Sequence, residues 1–288
     1  MQSCLKTLQL DAKQVDFLIS ASSTPDFNNP GLAQSVLGLF EGWYAGGLEI
    51  RQSAAGFHYA VDLAKNLIEA GTYQSIALIS AEFLARMYLA REENEEVDES
   101  LDYAHSISSD AVFACLLCSQ DFKEKNNLEK SAATFKVLEA GVSSHSAAAE
   151  SFMIKFPSSS QCPQRITEEN IISNEHLAKL DIKQFLQAAK EYFLPNFTAF
   201  VKKCTDSTSP ALFLSHAPTA KILTQLEADC GLIEEFDIFT GHGYQAAAGI
   251  GNTLVAILER GKIRQGDLLH SVALGAGLNW GYSMFEVY

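Results

Sequence analysis

The chain has 288 residues, 47% of them hydrophobic and 19% charged, and a formal net charge of −14. That length and composition describe a globular chain with one substantial core or two fused half-domains, not a disordered one. The charge argues against nucleic-acid and anionic-membrane partners, whose phosphates call for a basic face, and no apolar run approaches the ~18–20 residues that span a bilayer.

Taken from the N-terminus, the chain opens without the charged-then-apolar pattern of a secretion signal. Val15–Ala21 reads as a strand, about Gly31–Phe40 as a helix and Leu48–Arg51 as a short strand. Gln52-Ser53-Ala54-Ala55 then turns into a helix over Gly56–Ala70, whose Phe57, Ala60, Val61, Ala64, Leu67 and Ile68 form one apolar face ahead of Gly71. A strand-to-helix elbow of this kind can hold a nucleophile where free N–H groups and the helix dipole favour an anion. Strands are expected at Ser75–Ser80 and Ala111–Cys118, and the acidic run 91–99 between them reads as a solvated loop.

Six cysteines (Cys4, Cys115, Cys118, Cys162, Cys204 and Cys230) are scattered along the chain, a pattern expected of a reduced, cytosolic protein. Cys115 and Cys118 have C-x-x-C spacing inside an apolar strand, where side chains three apart point to opposite faces. Packing is the expected role, with no second C-x-x-C to complete a zinc site.

In the middle, the proline-bracketed stretch 157–163 is loop chemistry, and Ile182–Phe193 reads as an amphipathic helix with Phe185, Leu186, Ala189 and Phe193 on one side. The last part repeats the strand–helix order. Strands at Ala211–Ser215 and Phe236–Thr240 flank a helix over Thr219–Cys230; a helix over Gln245–Arg260 stops at Gly261; strands follow at Leu268–Leu274 and Tyr282–Val287. Alternating strands and helices imply mostly parallel strands covered by helices. The halves share an order of elements without convincing residue-level identity. Three regions follow: 1–122 and 206–288 as the two halves, and 123–205 as a variable region that shapes a pocket.

Five places together resemble the β-ketoacyl-ACP synthase III group of the thiolase-like fold: Asp16–Asp26, Gly56-Phe57 with Tyr59 and Ala60, Ser75–Glu82, Ser215-His216-Ala217, and Gly275-Ala276-Gly277-Leu278-Asn279-Trp280-Gly281. The resemblance covers roughly 14–120 and 206–288. It implies an α/β protein with layered α-β-α-β-α architecture built from two pseudo-repeated halves. Relatives carry further elements before anything like Val15–Ala21, so the N-terminal part is shortened relative to them: either the natural chain starts earlier or part of the substrate tunnel has been lost.

The resemblance assigns roles by position. The family's acyl-accepting cysteine falls at Ala54, its histidine at His216 and its asparagine at Tyr244, so two of the three catalytic positions are replaced. The missing roles are a nucleophile and a donor of hydrogen bonds to developing negative charge. Ser53, one residue from Ala54, is the nearby hydroxyl, either a nucleophile or a turn-forming group. His242 is a neighbour that could substitute for the asparagine or simply serve the loop. Gly277 could bring a backbone N–H to an acyl oxygen or just make a tight turn, and the loop around Phe27 would reach toward a dimer partner.

No cofactor is expected beyond acyl-CoA or acyl-ACP as substrate. The first expectation is a catalytically impaired subunit, paired with a catalytic homologue or with itself through Leu48–Gln52. An active acyltransferase with His216 as general base and an acyl-carrier or fatty-acid binding module are the alternatives. The acidity of the chain weighs against docking of an acidic acyl carrier protein.

Overall fold

A computed structural model describes residues 1–84, 99, 104, 106–128, 134–155, 167–205, 211–218, 235–236 and 243–288. The acidic run up to residue 98, the expected helix over Thr219–Cys230, His242 and most of the expected strand at 236–240 lie outside the described residues.

The described helices are α1 (Gln2–Leu8), α2 (Leu32–Leu37), α3 (Gly56–Glu69), α4 (Gln120–Lys125), α5 (Glu168–Ile172), α6 (Ile182–Ala188), α7 (Leu194–Thr205) and α8 (Gly249–Glu259). One π-helical turn, Ala189–Phe193, joins α6 to α7. The strands are β1 (Phe17–Ala21), β2 (Gly46–Ile50), β3 (Ser75–Glu82), β4 (Ala111–Cys118), β5 (Phe135–Ser144), β6 (Phe152–Ile154), β7 (Ala178–Leu180), β8 (Ala211–His216), β9 (Glu235–Phe236), β10 (Leu268–Gly275) and β11 (Asn279–Val287).

Two sheets repeat one plan. The first has the order β2-β1-β3-β4, with β1 parallel to β2 and β3, and β4 antiparallel to β3. In the second, β9-β8-β10-β11 has the same directions, and β5 adds an antiparallel edge beyond β11. Thus β5, which belongs to the region read as variable, extends the second sheet; β6 and β7 form a separate pair.

Strand alternation explains the layers. In β10, Leu269 and Ala273 enter a central core while Val272 and Leu274 face an aromatic one; β11 divides the same way, with Phe285 and Val287 to the centre and Trp280 to the aromatic side. In the first sheet Ile19, Ile76 and Leu78 point to the centre, and Leu18, Ala77 and Ile79 point to an outer core with Leu5, Val36 and Trp43. The helices α3 and α8 lie in the central layer, α1 and α2 outside the first sheet, and α6 and α7 outside the second, where Phe185, Phe193, Phe197 and Phe200 pack. Each such fully buried side chain stabilises by about 1.5–3 kcal/mol relative to exposure.

The helix α3 runs as its apolar spacing demands, burying Phe57, Ala60, Val61 and Ala64. It ends where Gly71 adopts φ 72°, with the Thr72 N–H donating to the Leu67 carbonyl, a left-handed cap that glycine takes without a Cβ penalty. The cysteines of the C-x-x-C pair sit on β4, Cys115 against the central core. Burial pushes the Cys118 thiol up to about 11 and Cys115 further in the same direction, so both are protonated and inert at neutral pH.

Candidate functional site

The two halves meet at two elbows of matching build. Gln52-Ser53-Ala54-Ala55-Gly56 turns through a 3-10 segment into α3, and Gln245-Ala246-Ala247-Ala248-Gly249 turns through another into α8. Ser53 has φ 49° and Ala246 has φ 42°, a left-handed conformation rare outside glycine that persists where surroundings impose it. The shared Gln-x-Ala-Ala-Gly pattern is a residue-level repeat that the sequence conceals among ordinary alanines.

The elbows pack against each other, and small residues permit it. A Cβ on Gly56 would lie 3.1 Å from the Ala247 methyl, and one on Gly249 would overlap the His216 imidazole. Each elbow also receives the end of the other half's central strand. Gly275, the last residue of β10, sits so close to the first elbow that a Cβ there would be 2.7 Å from the Ala54 nitrogen and the Ser53 Cβ. Glu82, the last residue of β3, receives the Ala247 N–H of the second elbow at 3.2 Å.

Ser53, Ala54, His216 and Tyr244 are brought together here. The Tyr244 ring lies parallel to the His216 imidazole, at 6° and 5.2 Å between centroids. Its Oη is hydrogen-bonded to Ser53 Oγ at 2.7 Å. His216 Nε2 accepts the Gln245 N–H at 3.2 Å, which fixes that nitrogen as the unprotonated one. His216 and Tyr244 are 2% and 1% exposed, and Ala54 is fully buried without a functional side-chain atom.

Burial sets the electrostatics. It holds His216 down at about 4, and His58, on the first turn of α3, down at about 3 with the positive charge of His216 as a lesser cause. Both are neutral at pH 7. His58 Nδ1 is 2.9 Å from Ser283 Oγ. Burial raises the Tyr244 phenol well above its ordinary range. Burial also pushes Glu82 up to about 7, against the opposing hydrogen bonds from Ser23, Ala247 and Thr24; desolvation outweighs the donors.

The other expected residues lie apart from this cluster. Gly277, with φ 132°, is in the turn between β10 and β11, whose Leu278 exchanges backbone hydrogen bonds with His145; it is Gly275 that touches the first elbow. Phe27 is 62% exposed on the loop between β1 and α2. A surface cavity of about 430 Å³ is lined by Glu49, Arg51, Gln52, Tyr59, Asp62 and neighbours along β2 and α3, without His216 or Tyr244. Among the described residues no group of three or more His, Cys, Asp or Glu could hold a metal ion.

Sequence reasoning missed Glu82 and Gly275 as members of the site. The available signal for Glu82 was a carboxylate ending the run Ser75–Ala81, all of it buried on both faces, since a charge does not stay in such a place without donors.

Comparison with known proteins places this geometry. The profile of the family described as 3-Oxoacyl-[acyl-carrier-protein (ACP)] synthase III C terminal matches residues 206–287. The β-ketoacyl-[acyl-carrier-protein] synthase III of Rickettsia prowazekii (strain Madrid E) is 23% identical over 288 residues, covering 99% of this chain and 81% of that protein. The chain is thus similar to ketoacyl synthase III proteins over nearly its whole length. The synthase III of Rhodopirellula baltica is likewise 23% identical, over 98% of this chain and 81% of its own length.

The thiolase-like fold follows from solved structures. The 3-oxoacyl-[acyl-carrier-protein] synthase III of Aquifex aeolicus VF5 superposes with a TM-score of 0.74 at 18% identity, over 99% of this chain and 81% of that one. The C143S variant of Xanthomonas campestris OleA, solved with lauric acid and lauroyl-CoA, superposes with a TM-score of 0.78 at 15% identity, over 99% and 80%. The ketoacyl synthase III-like chain thus shares the α-β-α-β-α layering implied by its sequence.

Proposed function

We propose that this chain is a ketoacyl synthase III-like subunit that has lost condensation chemistry and supports a catalytic homologue. The observation that carries this reading is the seat of Tyr244. Its phenol is hydrogen-bonded to Ser53 Oγ, and its ring covers His216. In the reading that assigns the family's cysteine to Ala54 and its asparagine to Tyr244, the nucleophile is a methyl group. The hydrogen-bond donor is a bulkier phenol already engaged within the chain. A thioester carbonyl would find no attacking atom, and the phenol in the asparagine's place is engaged with Ser53.

Direct acyl transfer by His216 is the weaker reading. Its Nε2 is engaged by the Gln245 N–H, and its basicity is depressed to about 4, so it is a poor general base at neutral pH. Pure ligand binding has no specific observation in its favour.

The proposed partner is a synthase III-type chain that retains a cysteine, working in the cytoplasm on acyl-CoA or acyl-ACP. Among the described residues no helix is long and apolar enough to cross a membrane. Among the described residues β2 is an edge strand paired with β1, an edge that suits such a pairing. The test is condensation with acyl-CoA and malonyl-thioester donors, by this chain alone and with a cysteine-bearing homologue from the same source. Turnover by the isolated chain would refute the reading; turnover only by the mixture, exceeding that of the homologue alone, is the expected result.

A further inference from the structure

The second elbow is gripped on both sides of its strained residue. The Gln245 N–H donates to His216 Nε2 and the Ala247 N–H donates to Glu82 Oε1, each at 3.2 Å. Ala246 stands between them with φ 42°. An alanine in this region is strained and needs its neighbours to hold it there. Tyr244, which occupies the candidate site, is bonded directly to this clamped stretch.

Glu82 is built for the purpose. Its carboxylate accepts the Ser23 N–H at 3.0 Å on both oxygens and the Thr24 hydroxyl at 3.1 Å, in addition to Ala247. Every one of these partners donates, and the side chain is fully buried. The pseudo-repeat supplies a second, independent argument. Glu82 ends β3 as Gly275 ends β10, and each abuts the elbow of the opposite half. At the second elbow the glutamate sets an acceptor oxygen against the first turn leading into α8.

We propose that Glu82 is a positioning residue that holds Ala246 in its left-handed conformation through the Ala247 N–H, and thereby seats the Tyr244 ring on His216. The function goes beyond anchoring the Ser23-Thr24 loop, because it predicts effects in the other half of the molecule.

Backbone amide exchange and imidazole NMR on the full chain test it. Glu82→Met keeps the length of the side chain and removes both acceptors. Exchange at the Ala247 amide is expected to rise about tenfold or more, the factor implied by leaving a buried donor without its acceptor. Exchange at Gln245 rises with it, and the His216 Nε2 resonance shifts as its donor leaves. Glu82→Gln, whose amide oxygen can still serve Ala247 while Thr24 turns to accept from its NH2, is expected to keep Ala247 protected. Adding Ala246→Gly to Glu82→Met recovers part of the lost Tm, whereas Ser53→Gly, the matching site in the first elbow, does not. Faster exchange at Ser23 alone, with Ala247, Gln245 and His216 unmoved, overturns the proposal. Should Glu82→Met fail to fold, a folded Glu82→Met/Ala246→Gly chain supports it and an unfolded one overturns it.

Discussion

Tyr244→Phe isolates the phenol oxygen from the ring. The ring would keep its place on His216 and beside Phe152, 6.0 Å away, so no large cavity opens. What is lost is the oxygen that meets Ser53 Oγ at 2.7 Å. A buried donor or acceptor left without a partner costs about 1–3 kcal/mol. The loss falls on the Ser53 hydroxyl, left without its partner. A cost of about 1 kcal/mol is expected, which for a chain of this size lowers Tm by roughly 2–4 °C. Chemical denaturation of the two single variants and of Tyr244→Phe/Ser53→Ala completes a double-mutant cycle. The pair should couple by about 1 kcal/mol, as hydrogen-bonded neighbours do. An unchanged or raised Tm in Tyr244→Phe, or strictly additive effects, would refute the argument that this phenol is what fills and satisfies the site.

Three further outcomes are expected. Ala54→Cys alone should give no measurable condensation in a malonyl-thioester assay, because Tyr244 still occupies the neighbouring space; full activity from that single change would show the placement of Tyr244 to be misjudged. Gly275→Ala should destabilise by about 1–3 kcal/mol in a urea titration, since its methyl would meet the Ala54 nitrogen and Ser53 Cβ at 2.7 Å and overpacking against backbone costs that much. Acid should weaken the fold below pH 6.5. His58 and His216, with folded values lowered to about 3 and about 4, stay neutral while the unfolded chain takes up their protons. Glu82, raised to about 7, works the other way: its contribution is full below pH 4.5 and lost as pH rises through 7. Between pH 6.5 and 4.5 these three groups together take up one proton on unfolding, a loss of about 1.4 kcal/mol per pH unit, and His270, which burial also lowers, adds to it. Glu82→Gln should steepen the slope by about one further proton, and equal slopes in the two proteins would contradict the assignment.

The layered fold was readable because its signals are local and strong. The period of α3, the glycine at its end and the apolar runs of β3, β4 and β10 each declare themselves within a dozen residues. The elbow at Ser53-Ala54 and the strand end at His216 were readable for the same reason, helped by the family resemblance. Other features depend on juxtaposition. The repeat of the first elbow at Gln245–Gly249 is written in alanines, and it becomes visible only when Ser53 and Ala246 share a positive φ. Glu82 and Gly275 acquire meaning from the opposite half, more than a hundred residues away in sequence. The π turn at Ala189–Phe193 and the continuation into α7 across Pro195 are imposed by packing against the aromatic core, so amphipathic spacing alone does not mark them. β5, largely half-buried at the edge of the second sheet, lacks the apolar run that marks the central strands.

Native mass spectrometry of the protein purified from its own source tests the supporting-subunit reading most directly. A one-to-one complex with a second synthase III-type chain that carries an intact cysteine is the expected result. A homodimer or a monomer that condenses or transfers acyl groups by itself would contradict it.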